Sequence, residues 1–277
     1  MNPPRHAALG LLWLLSAAPA AAQEKQDKPE IAITPLGEVR VLSDKEAAKL
    51  KTRLKNLVLS KKAKRKSRRK RKKGGPPKPS NFVTRLEEVE ALMKVQHRSL
   101  VPILKNVILK DPQIPVRAKG ASAMLAQPRH FAVPAAITLL KESRVQREGN
   151  VSAPLIRLLS HYGTTRSVWK ELRGDFLRFG TVAKIALLQS IGERRDWDGL
   201  DLLLRHMDEP APANVDDPSN PPASYWEQRW KDWQKFKPHL MTAVGQLLGK
   251  SFSSRKEAEE WIASQGGLRK IRKKRGG

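Results

Sequence analysis

The sequence predicts an all-α protein, and most of the evidence lies between Leu100 and Leu140. Apolar residues there fall three and four positions apart, as in Leu100, Ile103, Leu104 and Val107, which places them on one helix face. Comparable stripes recur on both sides at about 32 to 35 residues, the period of stacked helical hairpins. The chain is therefore expected to form short helices that pack in pairs.

The breaks between these helices are marked by proline. Asp111-Pro112 ends the first helix, because the residue before a proline is pushed out of the α conformation. Pro115 suits the start of the next helix, where its missing N–H costs nothing. Pro128 ends that second helix, and a third apolar stripe follows. These breaks predict one helical hairpin joined to the next.

The stretch LKDPQIPVRAKGASAMLA resembles a HEAT-type repeat, which carries Asp-Pro in its turn and then Val-Arg and small residues early in the next helix. The matching positions are Asp111, Pro112, Val116, Arg117, Ala118 and Ala121. The resemblance implies a structural role for them, with the acid and the arginine binding the turn or the neighbouring repeat. Together with the recurring apolar stripes, which set the number of units, it predicts an α-solenoid of about four HEAT-like hairpins over residues 81–207.

A second, shorter similarity lies near the C-terminus. LLGKSF followed by AEEW is similar to the closing segment of some secreted bacterial HEAT-repeat proteins. Residues 208–223 are expected to form a Pro-rich acidic loop, 224–265 a C-terminal helical cap broken before Pro238, and 266–277 a basic tail. Aromatic residues at helical spacing are expected to cover the end of the core rather than to stack on sugars or bases; they are Trp226, Trp230, Trp233 and Phe236.

The charge is large and unevenly placed. The chain has 277 residues, 39% of them hydrophobic, and a formal net charge of +27. Residues 45–73 hold 16 Lys and Arg and one acid, whereas 82–207 hold 20 basic and 12 acidic residues. Low apolar content beside concentrated charge predicts disordered parts outside the folded body. The lack of cysteine excludes disulfides, thiol catalysis and cysteine metal sites.

The N-terminus has the layout of a secretory signal peptide over residues 1–22. Arg5 precedes the apolar run Ala7–Ala18, and Ala20-Ala21-Ala22 provides small residues for cleavage. A short membrane anchor is the alternative, but the run is too short for the ~30 Å hydrocarbon core of a bilayer. The mature protein is therefore expected to be exported, to the periplasm or the extracellular space.

Two segments separate this leader from the basic run. Residues 23–43 are expected to be irregular, although the alternation of apolar residues in Ile31–Leu42 allows a short β-hairpin. Ser43 and Glu46 match the capping box that begins helices, so residues 44–60 are expected to form a basic amphipathic helix. Its apolar face suits either a membrane surface or docking on the helical hairpins.

Residues 61–80 are expected to form a disordered basic arm and linker, because dense like charge repels and buries no core. The arm is the predicted polyanion-binding site, and its basic residues are Lys61, Lys62, Lys64, Arg65, Lys66, Arg68, Arg69, Lys70, Arg71, Lys72 and Lys73. In an exported protein the ligand is expected to be anionic lipid, lipopolysaccharide or acidic polysaccharide; nucleic acid is expected only if the chain is not exported. A solubilising linker is the alternative interpretation.

No residue set predicts a catalytic, cofactor-binding or metal site. The histidines are scattered with no pair four residues apart, and Ser152 and Ser160 lie in no nucleophile motif. Some proteins with HEAT-like hairpins are lyases or DNA glycosylases, but no residues here support that activity. The leading hypothesis is a non-enzymatic exported scaffold that binds a protein partner; the alternative is a polyanion-binding protein acting through its basic arm.

Overall fold

A computed structural model describes residues 30–57, 82–212 and 217–275. These residues are mainly helical, with one small three-stranded sheet, so the all-α prediction is confirmed in outline. The predicted signal peptide and the predicted basic arm with its linker lie outside the described residues. So do the last three residues assigned to the amphipathic helix, 58–60.

The chain first forms a β-hairpin that begins the sheet. Strand β1 (Ile31–Thr34) pairs antiparallel with β2 (Gly37–Val41), and β3 (Val95–Gln96) adds to β2 in parallel. Gly37 takes a φ of +95°, which closes the turn without strain. The expectation that residues 23–43 are irregular is therefore wrong over these strands, where the hairpin alternative applies. Val39, opposite Ala32, is the buried residue of the pair, whereas Ile31 and Ile33 lie opposite Arg40 and Glu38 and are exposed.

Helix α1 (Asp44–Leu57) begins at the predicted capping box. The Ser43 backbone N–H donates to a Glu46 carboxylate oxygen at 3.0 Å, and the Glu46 N–H donates to the Ser43 hydroxyl at 3.4 Å. Ala47 and Leu54 are almost fully buried in the same apolar core as the later helices. The apolar face of α1 thus packs on the protein body.

The remaining helices follow in sequence order. They are α2 (Phe82–Ala91), α3 (Val101–Lys110), α4 (Ile114–Met124), α5 (Arg129–Leu140), α6 (Ser143–Arg147), α7 (Gly149–Tyr162), α8 (Arg166–Gly174), α9 (Thr181–Glu193), α10 (Leu200–Arg205), α11 (Ala223–Leu248), α12 (Arg255–Ser264) and α13 (Leu268–Lys274). Single 3₁₀ turns occur at Leu92–Lys94, Arg98–Leu100, Phe176–Arg178 and Trp197–Gly199.

Four of these helices pack in succession along the body. Helix α4 packs on α7, α7 packs on α9, and α9 packs on α11. Their facing residues belong to one continuous cluster of buried apolar side chains that extends from Leu42 to Ile271. Burial of apolar surface at about 25 cal/mol per Å² is the main favourable term that holds such short helices together.

Helix α11 is continuous through Pro238, so the predicted break before that residue is wrong. A proline inside a helix removes one hydrogen bond and costs about 3 kcal/mol. Here Trp233 and Phe236 before the proline and Leu240 and Val244 after it are all buried. Burial on both sides of the proline offsets the lost bond.

The predicted basic tail is also largely a helix. Residues 268–274 form α13, whose one buried residue, Ile271, is 4% exposed. The Arg275 guanidinium donates to the carbonyls of Leu248 and Gln246 at the end of α11, both at 3.5 Å. The charge count predicted an unstructured end, but a single apolar anchor and this cap are enough to fold α13 onto the body.

Candidate binding surface

The predicted polyanion-binding residues of Lys61–Lys73 all lie outside the described residues, so the structure assigns them no position. The six residues matched to the HEAT-type pattern lie at the end of α3 and in α4. Val116 and Ala121 are fully buried, Ala118 is half-buried, and Pro112 is exposed in the turn. The charged pair among them lies at the centre of a buried polar network.

Asp111 closes the turn between α3 and α4. Its carboxylate accepts from the Arg85 side chain of α2, with Nε at 2.9 Å, and from the backbone N–H of Gln113 at 2.9 Å. Asp111 and Arg85 are both buried. Arg85 was not singled out in the sequence, although a lone arginine on the apolar side of α2 is the signal that would have found it.

Arg117 extends the network in both directions and is only 1% exposed. Its Nη1 donates to the Asp111 carbonyl at 2.5 Å, and its Nε donates to Glu148 Oε2 at 2.8 Å. Burial acts to raise the pKa of Glu148, but hydrogen bonds from Arg117 and Arg144 outweigh it and hold that pKa below its ordinary value. Arg117 therefore joins its own turn to the turn before α7.

Further along the chain, helices α8 and α10 border an open groove of about 730 Å³. Its lining residues are Arg166, Ser167, Lys170, Arg173, Gly174, Asp198, Asp201, Leu202 and Arg205. Four of these nine residues are cationic and two are carboxylates. The groove is therefore a basic surface with some apolar area.

Carboxylates orient some of the cations of the groove but not all of them. Arg166 binds Asp198 through two hydrogen bonds, one of them from Nη2 at 2.8 Å, and Arg173 donates to Asp196. The hydrogen bond from Arg166 lowers the pKa of Asp198, so this carboxylate stays ionised and orients the guanidinium. Lys170 is exposed and makes none of these contacts, which leaves its ammonium free to meet a ligand.

Helix α13 adds further positive charge beside this groove. The charge of Arg272 is among those that lower the pKa of Asp198, which places the two side chains near each other. The exposed cations of α13 are Arg269, Lys270, Arg272, Lys273 and Lys274. Together, the groove and α13 form the surface that we call the basic face. Sequence reasoning missed it because its residues come from three separate helices.

The residues that the structure describes lack two other kinds of feature. They contain no group of three His, Asp or Glu arranged to hold a metal ion. Within 30–57, 82–212 and 217–275, no helix is both long and apolar enough to cross a membrane. Comparisons of the chain with protein-family models, with curated proteins and with solved structures found no match.

Proposed function

We propose that the protein is an exported, non-enzymatic scaffold, built as an α-solenoid of HEAT-like hairpins, that binds a protein partner along its repeat surface. The observation that carries this proposal is the succession of α4, α7, α9 and α11, each packed on the next. Helices stacked in this way present an extended surface suited to binding another protein. The signal-peptide pattern of residues 1–22 supports export.

The buried polar network supports a rigid repeat surface. Arg117 contacts both the turn of its own hairpin and Glu148 in the turn before α7. In the same way, the side-chain amide of Gln146 donates to Asp175 at 3.0 Å, which connects α6 to the turn after α8. Because these bonds fix the spacing of successive units, groups on the outer surface keep a constant arrangement toward a partner.

The basic face is the part of this surface best suited to contact the partner. It combines the exposed ammonium of Lys170 with the side chain of Leu202 and with guanidinium groups held by carboxylates. Such a mixture fits a protein segment that carries acidic residues beside apolar ones.

Site-specific photo-crosslinking tests this proposal in the full chain. A photo-reactive residue at Lys170 or Leu202 is expected to capture a discrete exported protein, because both positions line the groove. The same residue at Asn106, exposed on α3, is the matched control and is expected to capture none. Equal capture at all three positions would contradict a partner site on the basic face.

The second candidate function is polyanion binding, and α13 favours it specifically. Helix α13 carries five exposed cations, and one of them, Arg272, is close enough to Asp198 of the groove to lower its pKa. The predicted basic arm adds further cations. Lys and Arg bind anionic polymers by displacing their condensed counterions, so the affinity falls steeply with salt.

Heparin and anionic vesicles are suitable probes for this second function. Replacement of Arg269, Lys270, Lys273 and Lys274 by Gln is expected to reduce the slope of log K against log salt by about one for each cation that had neutralised an anionic group. The matched control neutralises Lys94, Lys105, Lys110 and Arg129, which lie elsewhere on the surface. Binding that does not respond to salt would favour the scaffold alone. Deletion of residues 60–75 measures how much of the binding to heparin and vesicles comes from the predicted basic arm.

A further inference from the structure

A separate cavity of about 250 Å³ lies between α9, the end of α10 and α11. Its apolar walls include Leu177, Trp233 and Phe236. Four potential cations line it as well, namely Lys184, Arg205, His206 and Arg229, together with the carboxylates of Asp208, Glu209 and Asp232. A cavity with aromatic walls and a few convergent polar groups is the usual form of a small-molecule site.

Lys184 is a half-buried cation of this cavity without a close ion pair. Its Nζ lies 5.7 Å from the ring centres of Phe176 and Phe236, and it has no carboxylate within 4.0 Å among the described residues. Burial lowers the pKa of Lys184; the negative charge of Asp232 opposes this, and the positive charge of Arg229 adds to it. A half-buried ammonium in this position is costly unless an anion compensates it.

Arg229 is in a similar position on α11. Its guanidinium donates to the Tyr225 hydroxyl at 3.0 Å and lies over the ring of Trp226, but it forms no ion pair among the described residues. Lys184 and Arg229 thus repel each other, and Asp232 is the acid whose charge acts on Lys184.

The acids around the cavity supply only part of the counter-charge. Asp232 accepts from the Thr181 hydroxyl at 3.1 Å and pairs with Lys235 at 3.7 Å. Asp208 and Glu209 also line the cavity but are exposed. Arg205 is exposed and pairs with Asp201 at 2.5 Å. Among the half-buried groups, Lys184 and Arg229 therefore face one carboxylate, that of Asp232, which leaves one positive charge in excess.

The pKa of His206 is affected by the same positive charges. Burial, followed by the charges of Arg205, Arg229 and Lys184, lowers the pKa of His206 to about 4. Its ring packs 4.9 Å from Phe176, and its backbone carbonyl accepts from the Trp233 indole N–H at 3.0 Å. The imidazole is thus held at the cavity wall, close to the excess positive charge.

We propose that this cavity binds a small organic monocarboxylate, with the carboxylate between Lys184 and Arg229 and the apolar body against Trp233 and Phe236. One bound carboxylate would compensate the positive charge that Asp232 leaves unbalanced at Lys184 and Arg229, neither of which has a carboxylate within 4.0 Å among the described residues. The aromatic walls favour an unsaturated or aliphatic body over a fully polar one. The volume suits a single-ring acid and is below the range of about 300–1,000 Å³ typical of sites for drug-sized ligands.

Benzoate titrated into the full chain tests the proposal, with NMR detection of the His206 imidazole. We expect saturable binding and a rise in the pKa of His206, because the carboxylate offsets the positive field. Benzyl alcohol has the same ring without the charge and is expected to bind at least about 10-fold more weakly, a difference of about 1.4 kcal/mol. Equal binding of the two probes would overturn the proposal.

Substitutions of the two cations test where the carboxylate of benzoate binds in the cavity. Lys184→Met is expected to weaken benzoate binding by about 10-fold or more, whereas Lys231→Gln, an exposed neighbour on α11, leaves it unchanged. Arg229→Gln provides a second variant if the methionine variant does not fold. Benzoate affinity that is unchanged in a folded Lys184 or Arg229 variant would show that the anion does not lie between these cations.

Discussion

Arg117 and Glu148 form an ion pair that joins α4 to the turn before α7, with Nη2 and Oε1 2.5 Å apart and Nε and Oε2 2.8 Å apart. The Arg117 side chain is 2% exposed and that of Glu148 is 16% exposed. Two parallel N–H···O bonds fix the guanidinium in its plane. In such a buried environment, loss of either partner leaves a charge without compensation.

Glu148→Gln is therefore expected to destabilise the protein by about 2–4 kcal/mol, because the Arg117 charge then stays buried without its counter-ion. The amide of the variant still accepts a hydrogen bond, which keeps the loss below that of a full truncation. The free energy of unfolding, measured by urea denaturation with circular dichroism, checks this value.

The matched control is Glu142→Gln. Glu142 precedes α6, and its side chain is exposed, so this substitution is expected to change the free energy of unfolding by less than about 0.5 kcal/mol. If both variants unfold at the same urea concentration as the wild type, the Arg117 network is not a stabilising connection.

Gly180 is expected to tolerate no side chain at the start of α9. A Cβ there would lie 2.7 Å from the Arg147 carbonyl oxygen and 2.8 Å from the Gly149 nitrogen. Both atoms are backbone, so α9 would have to shift relative to α7, and Gly180→Ala is expected to cost about 1–3 kcal/mol of stability. Urea denaturation measures the loss.

Gly174→Ala is the control for this substitution. A Cβ at Gly174, the last residue of α8, meets nothing within 4 Å. Alanine there is expected to be neutral or to stabilise by up to about 1 kcal/mol, because it restricts the unfolded chain. A Gly180 variant as stable as the Gly174 variant would show that α7 and α9 can separate without cost.

The helices of the central region could be predicted from sequence because their signals are local. The steric effect of Pro112 on Asp111 is local and ends α3, and apolar spacing identifies the buried face of that helix. Pro238 and α13 were predicted wrongly because tertiary burial decides both cases. Four buried side chains around the proline, and Ile271 in α13, outweigh the local preference.

The candidate sites were beyond sequence reasoning for a related reason. The basic face brings together α8, α10 and α13, and the Lys184 cavity brings together α9 and α11. No spacing along the chain records these contacts. Lys184 and Arg229 are 45 positions apart in sequence, so only the fold shows that they share a cavity.

Ile271→Asp tests whether α13 folds onto the body through one apolar side chain. Removal of a buried isoleucine costs about 2–3 kcal/mol, and an aspartate adds the cost of burying a charge. We expect amide hydrogen exchange to accelerate across residues 268–275 while α4, α7 and α9 keep their protection.

Lys273→Asp introduces an aspartate on the exposed side of α13 instead. Residues 268–275 of this variant are expected to exchange as slowly as those of the wild type. Rapid exchange over residues 268–275 in the wild type itself would restore the prediction of an unstructured basic tail.

The last prediction concerns pH. The pKa of His206 is about 4 in the folded protein against an ordinary value of 6.5, since burial and three nearby cations oppose its protonation. Between these two values the unfolded chain binds a proton at this residue that the folded protein does not. The contribution of His206 to the free energy of unfolding is therefore fully present above about pH 6.5 and is lost as the pH is lowered toward 4.

The expected loss is about 2 kcal/mol, less than for a fully buried ring, because His206 retains some contact with solvent. His206→Gln should flatten the pH profile between 4 and 6.5, whereas His130→Gln, on an exposed part of α5, should keep it. The acids with lowered pKa, which are Glu46, Glu148, Asp198, Asp217 and Glu257, lose their contribution only below about pH 4.5, outside most of this window. A wild-type protein whose stability does not change from pH 6.5 to 4 would show that His206 is protonated as easily in the folded chain as in the unfolded one.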